Sequence, residues 1–310
     1  MSHPPQRQFH ITMAAMMQHK KPADLFARML ASTSSFPGKI RLADFLGQRI
    51  SRWNGGKGTF TLPTGETLAI DLSDRIQRLM WGSTYEPHVH QCLRRLLRPG
   101  DTFVDVGAHI GFFTLIASAL VGSSGKVYAF EADPDLFATL RDNASPYPWV
   151  IASPKAVWSN SGPVLFSKSL QSPETGWGKL VAVRKEGQVL QINATSLDVW
   201  YESVGSPSIR AMKLDAEGSE PFILEGGKQL IARSRPFLIM EFNDQLLREV
   251  KRPREMVVNG LRGQGYEIFA IETGKSRASL DLIGSAEVLC VPRSRMSESK
   301  SILDDFAVSI

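Results

Sequence analysis

The run Asp105-Val106-Gly107-Ala108-His109-Ile110-Gly111 decides how the rest of this sequence is read. It closes a continuous apolar stretch, Thr102–Val106, of the kind found in a strand buried on both faces. It opens Phe112–Val121, a nearly all-apolar segment of helical length that Gly122 ends. In such a strand–turn–helix unit Gly107 allows a sharp turn and Gly111 lets the helix pack against the sheet. Together they leave room for a ligand at the carboxyl edge. A second buried strand, Lys126–Phe130, ends at Glu131, 26 residues after Asp105. An acid there can accept hydrogen bonds from both ribose hydroxyls of a nucleoside.

The nucleoside is not a dinucleotide. That ligand needs G-x-G-x-x-G, whose second glycine lets backbone approach the pyrophosphate. Here His109 takes the second glycine's place and the third spacing differs. Asp105 at the strand's tip would repel a pyrophosphate and suits the ammonium of a methionine. Electrostatics favours S-adenosylmethionine.

Outward from this unit, strands are expected over residues 150–157, 211–214, 237–240, 266–271 and 287–291. Helices are expected over 89–97, with Leu93, Leu96 and Leu97 inward, from the Asp133-Pro134 cap, and after Glu220, Asp244 and Pro253. Strands alternating with helices mean a doubly wound α/β fold with a largely parallel sheet. Before it, residues 1–85 read as a loose arm of some twenty residues, helices over 23–31 and 40–53, and a hairpin of strands 59–62 and 67–72 around Pro63-Thr64-Gly65. The main domain spans 86–293. Residues 159–208, with strand-like pieces at 164–167 and 189–192, are too long for a plain connection and read as an insertion beside the site. The polar tail, 294–310, is expected to be flexible.

Bulk properties narrow the class further. A 310-residue chain with 43% hydrophobic and 22% charged residues is globular rather than disordered or collagen-like. A net charge of +5 is too small for a nucleic-acid protein. Cys92 and Cys290, far apart in apolar stretches, argue against a disulfide framework. No apolar run approaches the roughly 20 residues that span a bilayer, and no signal peptide stands out, so a cytoplasmic protein with no membrane partner is expected. An oligomer is possible but is not readable.

Four segments then carry a resemblance: FVDVGAHIGFFTL (residues 103–115), VYAFEADP (127–134), MKLDAEGSE (212–220) and LIMEFN (238–243). With weaker echoes in GSTYEP (82–87) and TSLDVW (195–200), they resemble the FkbM family of methyltransferases over residues 60 to 292. The resemblance implies the seven-stranded, Rossmann-like class I methyltransferase sheet, S-adenosylmethionine as donor, and mostly O-methylation, often of sugar hydroxyls. Asp105, Gly107 and Gly111 match the first motif, Glu131 the ribose acid, and Glu86 the Tyr-Glu position facing the methionine end. His109 stands where the family more often has Asn, and Ala132 replaces the Pro that commonly follows the ribose acid. His109 and Ala156 complete the cofactor-binding candidates.

Methyl transfer is an in-line displacement at an already activated carbon, so the protein must mainly align the reactants. A hydroxyl nucleophile also needs a general base or a metal ion. Candidates lie at the ends of the central strands. Asp215 or Glu241 can act as base, or Asp215, Glu241 and Asn243 can share a divalent cation of magnesium type. Glu217 or Glu220, on the turn after Asp215, is expected to have a structural role, capping the next helix. His109 is expected to be a polar filler bonding the backbone, and His88 and His90 surface residues. Lys213 either meets a carboxylate or snorkels out. Trp158 and Trp177 are a sugar platform or core packing, and the Lys251-Arg252-Pro253-Arg254 run a solvated helix junction. The leading expectation is O-methylation of a sugar or other small-molecule acceptor. N- or carboxyl-methylation and a catalytically silent binding protein are the competing readings.

Overall fold

The structure, a computed structural model, describes residues 27, 29–30, 38–168, 179–181, 188–271, 285–306 and 308–309. Lys39–Asn54 (α1), Lys57–Thr61 (β1) and Thr67–Asp71 (β2) follow the helix and antiparallel hairpin expected from sequence. The helix expected over 23–31 and the arm before it lie almost wholly outside the described residues. Arg75–Trp81 (α2) was not foreseen. At seven residues it is too short for a helical period to stand out, although Asp74 supplied the signal: its carboxylate accepts from the Gln77 N–H.

The main domain opens with Pro87–Leu96 (α3), whose Val89, Cys92, Leu93 and Leu96 are buried. Thr102–Val106 (β3), Phe112–Val121 (α4) and Lys126–Phe130 (β4) have the expected bounds. Pro134–Ala144 (α5) starts at the expected Asp133 cap, which accepts from the Asp135 N–H. The single strand expected over 150–157 is a correction. Val150–Ser153 (β5) pairs with β4, whereas Ala156–Val157 (β6) joins another sheet. Pro154, which has no N–H to give, interrupts the ladder between them.

Gly162–Lys168 (β7), Lys179–Val181 (β8) and Gln188–Thr195 (β9) contain the strand-like pieces of the insertion and form with β6 a four-stranded sheet, ordered β6-β9-β7-β8. Trp177 lies outside the described residues. Leu197–Ser203 (α6), Ala211–Leu214 (β10), Glu220–Glu225 (α7), Lys228–Ser234 (α8), Phe237–Asn243 (β11), Asp244–Glu249 (α9), Arg254–Gly263 (α10), Tyr266–Ala270 (β12) and Ser285–Pro292 (β13) return the chain to the main sheet. The tail is a second correction. Met296–Phe306 (α11) is a helix, and Val308–Ser309 (β14) pairs with β12. Met296, Ile302 and Leu303 fall on one helical face and pack against the core, Ile302 completely buried.

The main sheet runs β5-β4-β3-β10-β11-β13-β12, with two-residue β14 on the far edge. β3 is parallel to both β4 and β10, and β13 is antiparallel to β11 and β12. Successive strands thus leave β3 in opposite directions, toward β4 on one side and from β10 onward on the other. A switch point of this kind opens a crevice at the carboxyl ends of the strands. Side-chain alternation defines the sheet's faces. Phe103, Ala211, Phe237 and Ile239 pack in the core with Leu93 and Phe113, while Val104, Met212, Leu214 and Leu238 pack in another with Leu197, Ile223 and Val257. By the same period of two, Asp105, Lys213 and Glu241 fall on the first face, near its carboxyl edge. Among the described residues no helix is long and apolar enough to cross a membrane.

Candidate active site

The crevice is built on the turn after β3. Gly107 adopts a φ of 81°, and a Cβ there would meet the Asp215 carbonyl oxygen at 1.7 Å, so only glycine lets β3 and β10 close at this point. The Gly107 and Ala108 N–H groups both donate to the Phe130 carbonyl, at 3.0 and 2.9 Å. Asn143 of α5 braces the turn from behind. It accepts from the Ala69 N–H of β2 at 2.8 Å and donates to the Ile110 carbonyl at 2.8 Å.

Glu131, buried at the end of β4, accepts from the His109 N–H at 2.7 Å and from the Asp133 N–H at 2.8 Å. Burial raises its pKa to about 7, against the pull of those backbone donors. His109 is neutral at ordinary pH, because burial lowers its pKa to about 4 despite the nearby Asp74, Asp215 and Asp133.

A cavity of about 250 Å³ opens here. On the β4–β5 side its wall holds Phe130, Glu131, Ala132, Asp133, Leu136, Lys155, Ala156 and Val157, with Phe166 of β7. On the β10–β11 side it holds Asp215, Ala216, Glu217, Ser219, Glu241 and Asn243, and Ile76, Tyr85 and Glu86 come from the segment before α3. Of the sequence candidates, Glu86, Gly107, His109, Glu131, Ala156, Asp215, Glu241 and Asn243 are thus brought together. Asp105 and Gly111 are not. The Asp105 carboxylate is buried behind the wall, accepting from the Thr114 hydroxyl at 2.6 Å. Gly111 faces α5, where a Cβ would press on Leu140 at 2.9 Å, so its role is to let two helices approach.

The β10–β11 side is an ionic cluster around one ammonium. Lys213, only 2% exposed, places its Nζ 2.5 Å from Asp215, 3.9 Å from Glu86 and 5.0 Å from the Phe113 ring centre. Of the two alternatives for Lys213, the carboxylate partner holds. Burial works to lower its pKa, but Asp215, Glu86, Glu287 and Asp105 outweigh burial and raise it above the ordinary lysine value. Burial raises Glu86 to about 7, with Lys213 opposing and Asp215 adding to the rise. Glu241 is raised by burial and by Asp215 while accepting from the Ser285 hydroxyl, and Glu287, its cross-strand partner, is raised well above the carboxylate range by burial.

On the turn after β10, Glu220 braces the backbone by accepting from the Ala216 N–H at 2.7 Å, in keeping with the structural role expected of it. Glu217 does not cap the helix: it lines the cavity, with burial and the charges of Asp215, Glu241 and Glu220 raising it to about 9.

The proposed cation site is a correction. Asn243 caps α9, its Oδ1 accepting from Gln245 and Leu246 N–H groups at 3.2 and 3.3 Å. Asp215 already carries the Lys213 ammonium, and Glu241 the Ser285 hydroxyl. Among the described residues no group of three His, Cys, Asp or Glu could hold a metal ion. The residues do not fit a divalent cation.

Other expectations resolve away from the cavity. Trp158 stacks on Phe222 at 4.1 Å and is packing, not a platform in the cavity wall. His88 and His90 are half-buried and off the wall. The basic run is not simply solvated: Arg254 is 5% exposed and paired with Asp244 at 2.7 Å. Sequence reasoning missed Ile76, Tyr85 and Lys155 on the wall, and Glu287 behind it. Tyr85 was passed over in favour of its neighbour Glu86, and the other three stand outside the quoted motifs.

A pyrophosphate would meet carboxylates here where it needs backbone amides and positive charge. A ligand carrying an ammonium and a sulfonium meets groups of opposite sign, with Glu131 free to accept from a ribose. Sheet order and crevice together define a class I methyltransferase that uses S-adenosylmethionine. The methyltransferase FkbM domain model matches residues 105–268, more than half of the chain, and the chain belongs to that family. It is 25% identical over 228 residues to 2-O-methyltransferase NoeI of Sinorhizobium fredii, covering 66% of this chain and 90% of that protein. It is 33% identical over 144 residues to hexuronic acid methyltransferase AglP of Haloferax volcanii, covering 46% of this chain and 56% of the relative. With 31-O-demethyl-FK506 methyltransferase FkbM of Streptomyces tacrolimicus it shares 42% identity over 89 residues, 28% of this chain and 32% of that protein.

Proposed function

We propose that this enzyme moves the methyl group of S-adenosylmethionine to a hydroxyl oxygen of a sugar or similar small polyol. The carrying observation is the chemistry of the β10–β11 wall. Asp215, Glu217 and Glu241 put three carboxyl groups on this wall, and carboxylate oxygens accept hydrogen bonds from hydroxyls. The name of one relative, a 2-O-methyltransferase, supports an oxygen acceptor, and that of another, a hexuronic acid methyltransferase, supports a sugar-type substrate.

In this reading Glu131 holds the ribose, and Phe130, Leu136 and Ala156 give apolar surface to the base. Glu86 and Asp215 face the charged methionine end. The cofactor supplies an electrophilic methyl carbon when bound, and the protein's part is alignment and removal of the acceptor proton. The experiment is methyl transfer from labelled donor to panels of neutral sugars, amines and carboxylates, with cofactor affinity measured by calorimetry. Hydroxyl methylation is expected, together with a loss of about 10- to 100-fold in cofactor affinity for Glu131→Ala, as two hydrogen bonds to a carboxylate disappear. Methylation confined to amines or carboxylates would sink the acceptor class while sparing the cofactor reading.

A further inference from the structure

We propose that Glu217 is the catalytic base that takes the acceptor hydroxyl's proton, and that Asp215 and Glu241 hold and polarise the site around it. This rests on the hydroxyl acceptor proposed above.

The carboxyls of the cavity wall differ in whether a hydrogen-bond donor or an ammonium already holds them. Asp215 is held by the Lys213 ammonium at 2.5 Å. Glu241 accepts from Ser285, and Glu86 has the Lys213 ammonium 3.9 Å from its Oε2. Both Glu131 oxygens are engaged by backbone N–H groups on the cofactor side. Glu217 lines the cavity, and no hydrogen bond or ion pair of its carboxyl is found among the described residues.

Its backbone is held for that placement. Glu217 has a φ of 50°, left-handed and unusual for a side chain of its length. The next residue, Gly218, has a φ of 87°, and a Cβ there would strike the Leu246 Cβ at 2.9 Å. The loop is therefore pinned against α9 on one side and by the Glu220–Ala216 bond on the other. Strain at a non-glycine residue on a ligand wall, maintained by its surroundings, is a mark of functional positioning.

Proton affinity agrees with geometry. The groups facing Glu217 are Asp215 and Lys213 of the β10 end, Glu241 of β11 and Glu220 of α7. Burial and the three carboxylates push it up to about 9, with Lys213 opposing. In the reaction the acceptor O–H bond breaks and its proton goes to a Glu217 oxygen. The freed electron pair forms the C–O bond as the carbon–sulfur bond breaks. Sulfur keeps that bonding pair and leaves as a neutral thioether, and Glu217 later passes the proton to water.

The test compares Glu217→Gln, Glu217→Asp and Glu220→Gln on a sugar hydroxyl acceptor and on a more acidic phenolic one. Glu217→Gln is expected to lower kcat about 100-fold or more on the sugar, with cofactor Kd within about threefold of wild type. The rise of rate with pH through the ionisation of Glu217 should disappear, Glu217→Asp should recover part of the rate, and the phenol should lose less than the sugar. Glu220→Gln should instead lower thermal stability. Wild-type kcat in Glu217→Gln on the sugar acceptor would overturn the assignment and leave the acceptor class standing. An equal fall in cofactor binding and melting temperature would make Glu217 structural and overturn it as well. Absence of hydroxyl methylation by the wild type would instead remove the acceptor reading on which the base depends.

Discussion

The two halves of the crevice are built by different kinds of bond. On the β3–β4 side the geometry is set by backbone: N–H groups of His109 and Asp133 fix Glu131, and Phe130 carbonyl fixes the glycine turn. Every partner lies within 28 residues of Asp105. On the β10–β11 side, side chains from the remote segments of Glu86, Asp105 and Glu287 meet around Lys213, with Asp215 two residues along its own chain. The β3–β4 half is a rigid mould of peptide groups. The β10–β11 half is a balance of charges, and charges can be re-set by pH, by ligand or by one substitution.

Three perturbations separate the halves, the largest first. Gly107→Ala strikes the mould and its junction with the other half, since the new Cβ would sit 1.7 Å from the Asp215 carbonyl oxygen. A loss of more than about 4 kcal/mol of stability is expected, with cofactor binding abolished, by thermal unfolding and calorimetry. Near-normal binding would mean that the turn is soft.

Lys213→Met strikes only the charge balance. Removing one partner of a buried ion pair leaves Asp215 and Glu86 facing each other uncompensated, and a loss of about 3–5 kcal/mol is expected in urea unfolding. Cofactor affinity should change less than for Gly107→Ala, because Glu131 and its donors are untouched. If affinity falls equally, the two halves are one unit.

The smallest effect is on pH dependence. Folded Glu86 and Glu131 have pKa values of about 7, Glu220 about 8 and Glu217 about 9, all above the ordinary glutamate value of 4.5. Between pH 7 and 9 the folded state therefore binds more protons than the unfolded one, and stability falls as pH rises. His109, at about 4 folded against 6.5 free, acts only below this window. The ligand-free protein should melt at a lower temperature at pH 9 than at pH 7, and a cationic cofactor should narrow the gap. A flat profile would show that the carboxyls are better solvated than their burial implies.

This contrast also explains what could be read in the residues. β3, α4, β4 and β10 have bounds expected from apolar runs and glycines alone, because short-range pattern decides them. Glu131 was legible for the same reason. Asp105 was placed at the ligand because it sits in the motif, yet period-two alternation turns it inward to Thr114 and Lys213. Lys213 was recognised as anomalous in a buried strand, but its partner Glu86 is 127 positions earlier and no local rule connects the two. The tail was misjudged from its polarity, since three apolar residues on one face suffice to dock α11. The supposed metal ligands lay on neighbouring strands as expected, and failed because each already had a partner.

Asn143 ties the Ala69 backbone of the hairpin to Ile110 in the glycine turn. The segment that defines the family begins at residue 105, so its most informative loop is anchored by chain that precedes it. A protein shortened to the matched segment would keep the motif but lose its strut, together with the Ile76, Tyr85 and Glu86 portion of the wall. The smallest piece of this enzyme able to hold its ligand therefore begins no later than the hairpin.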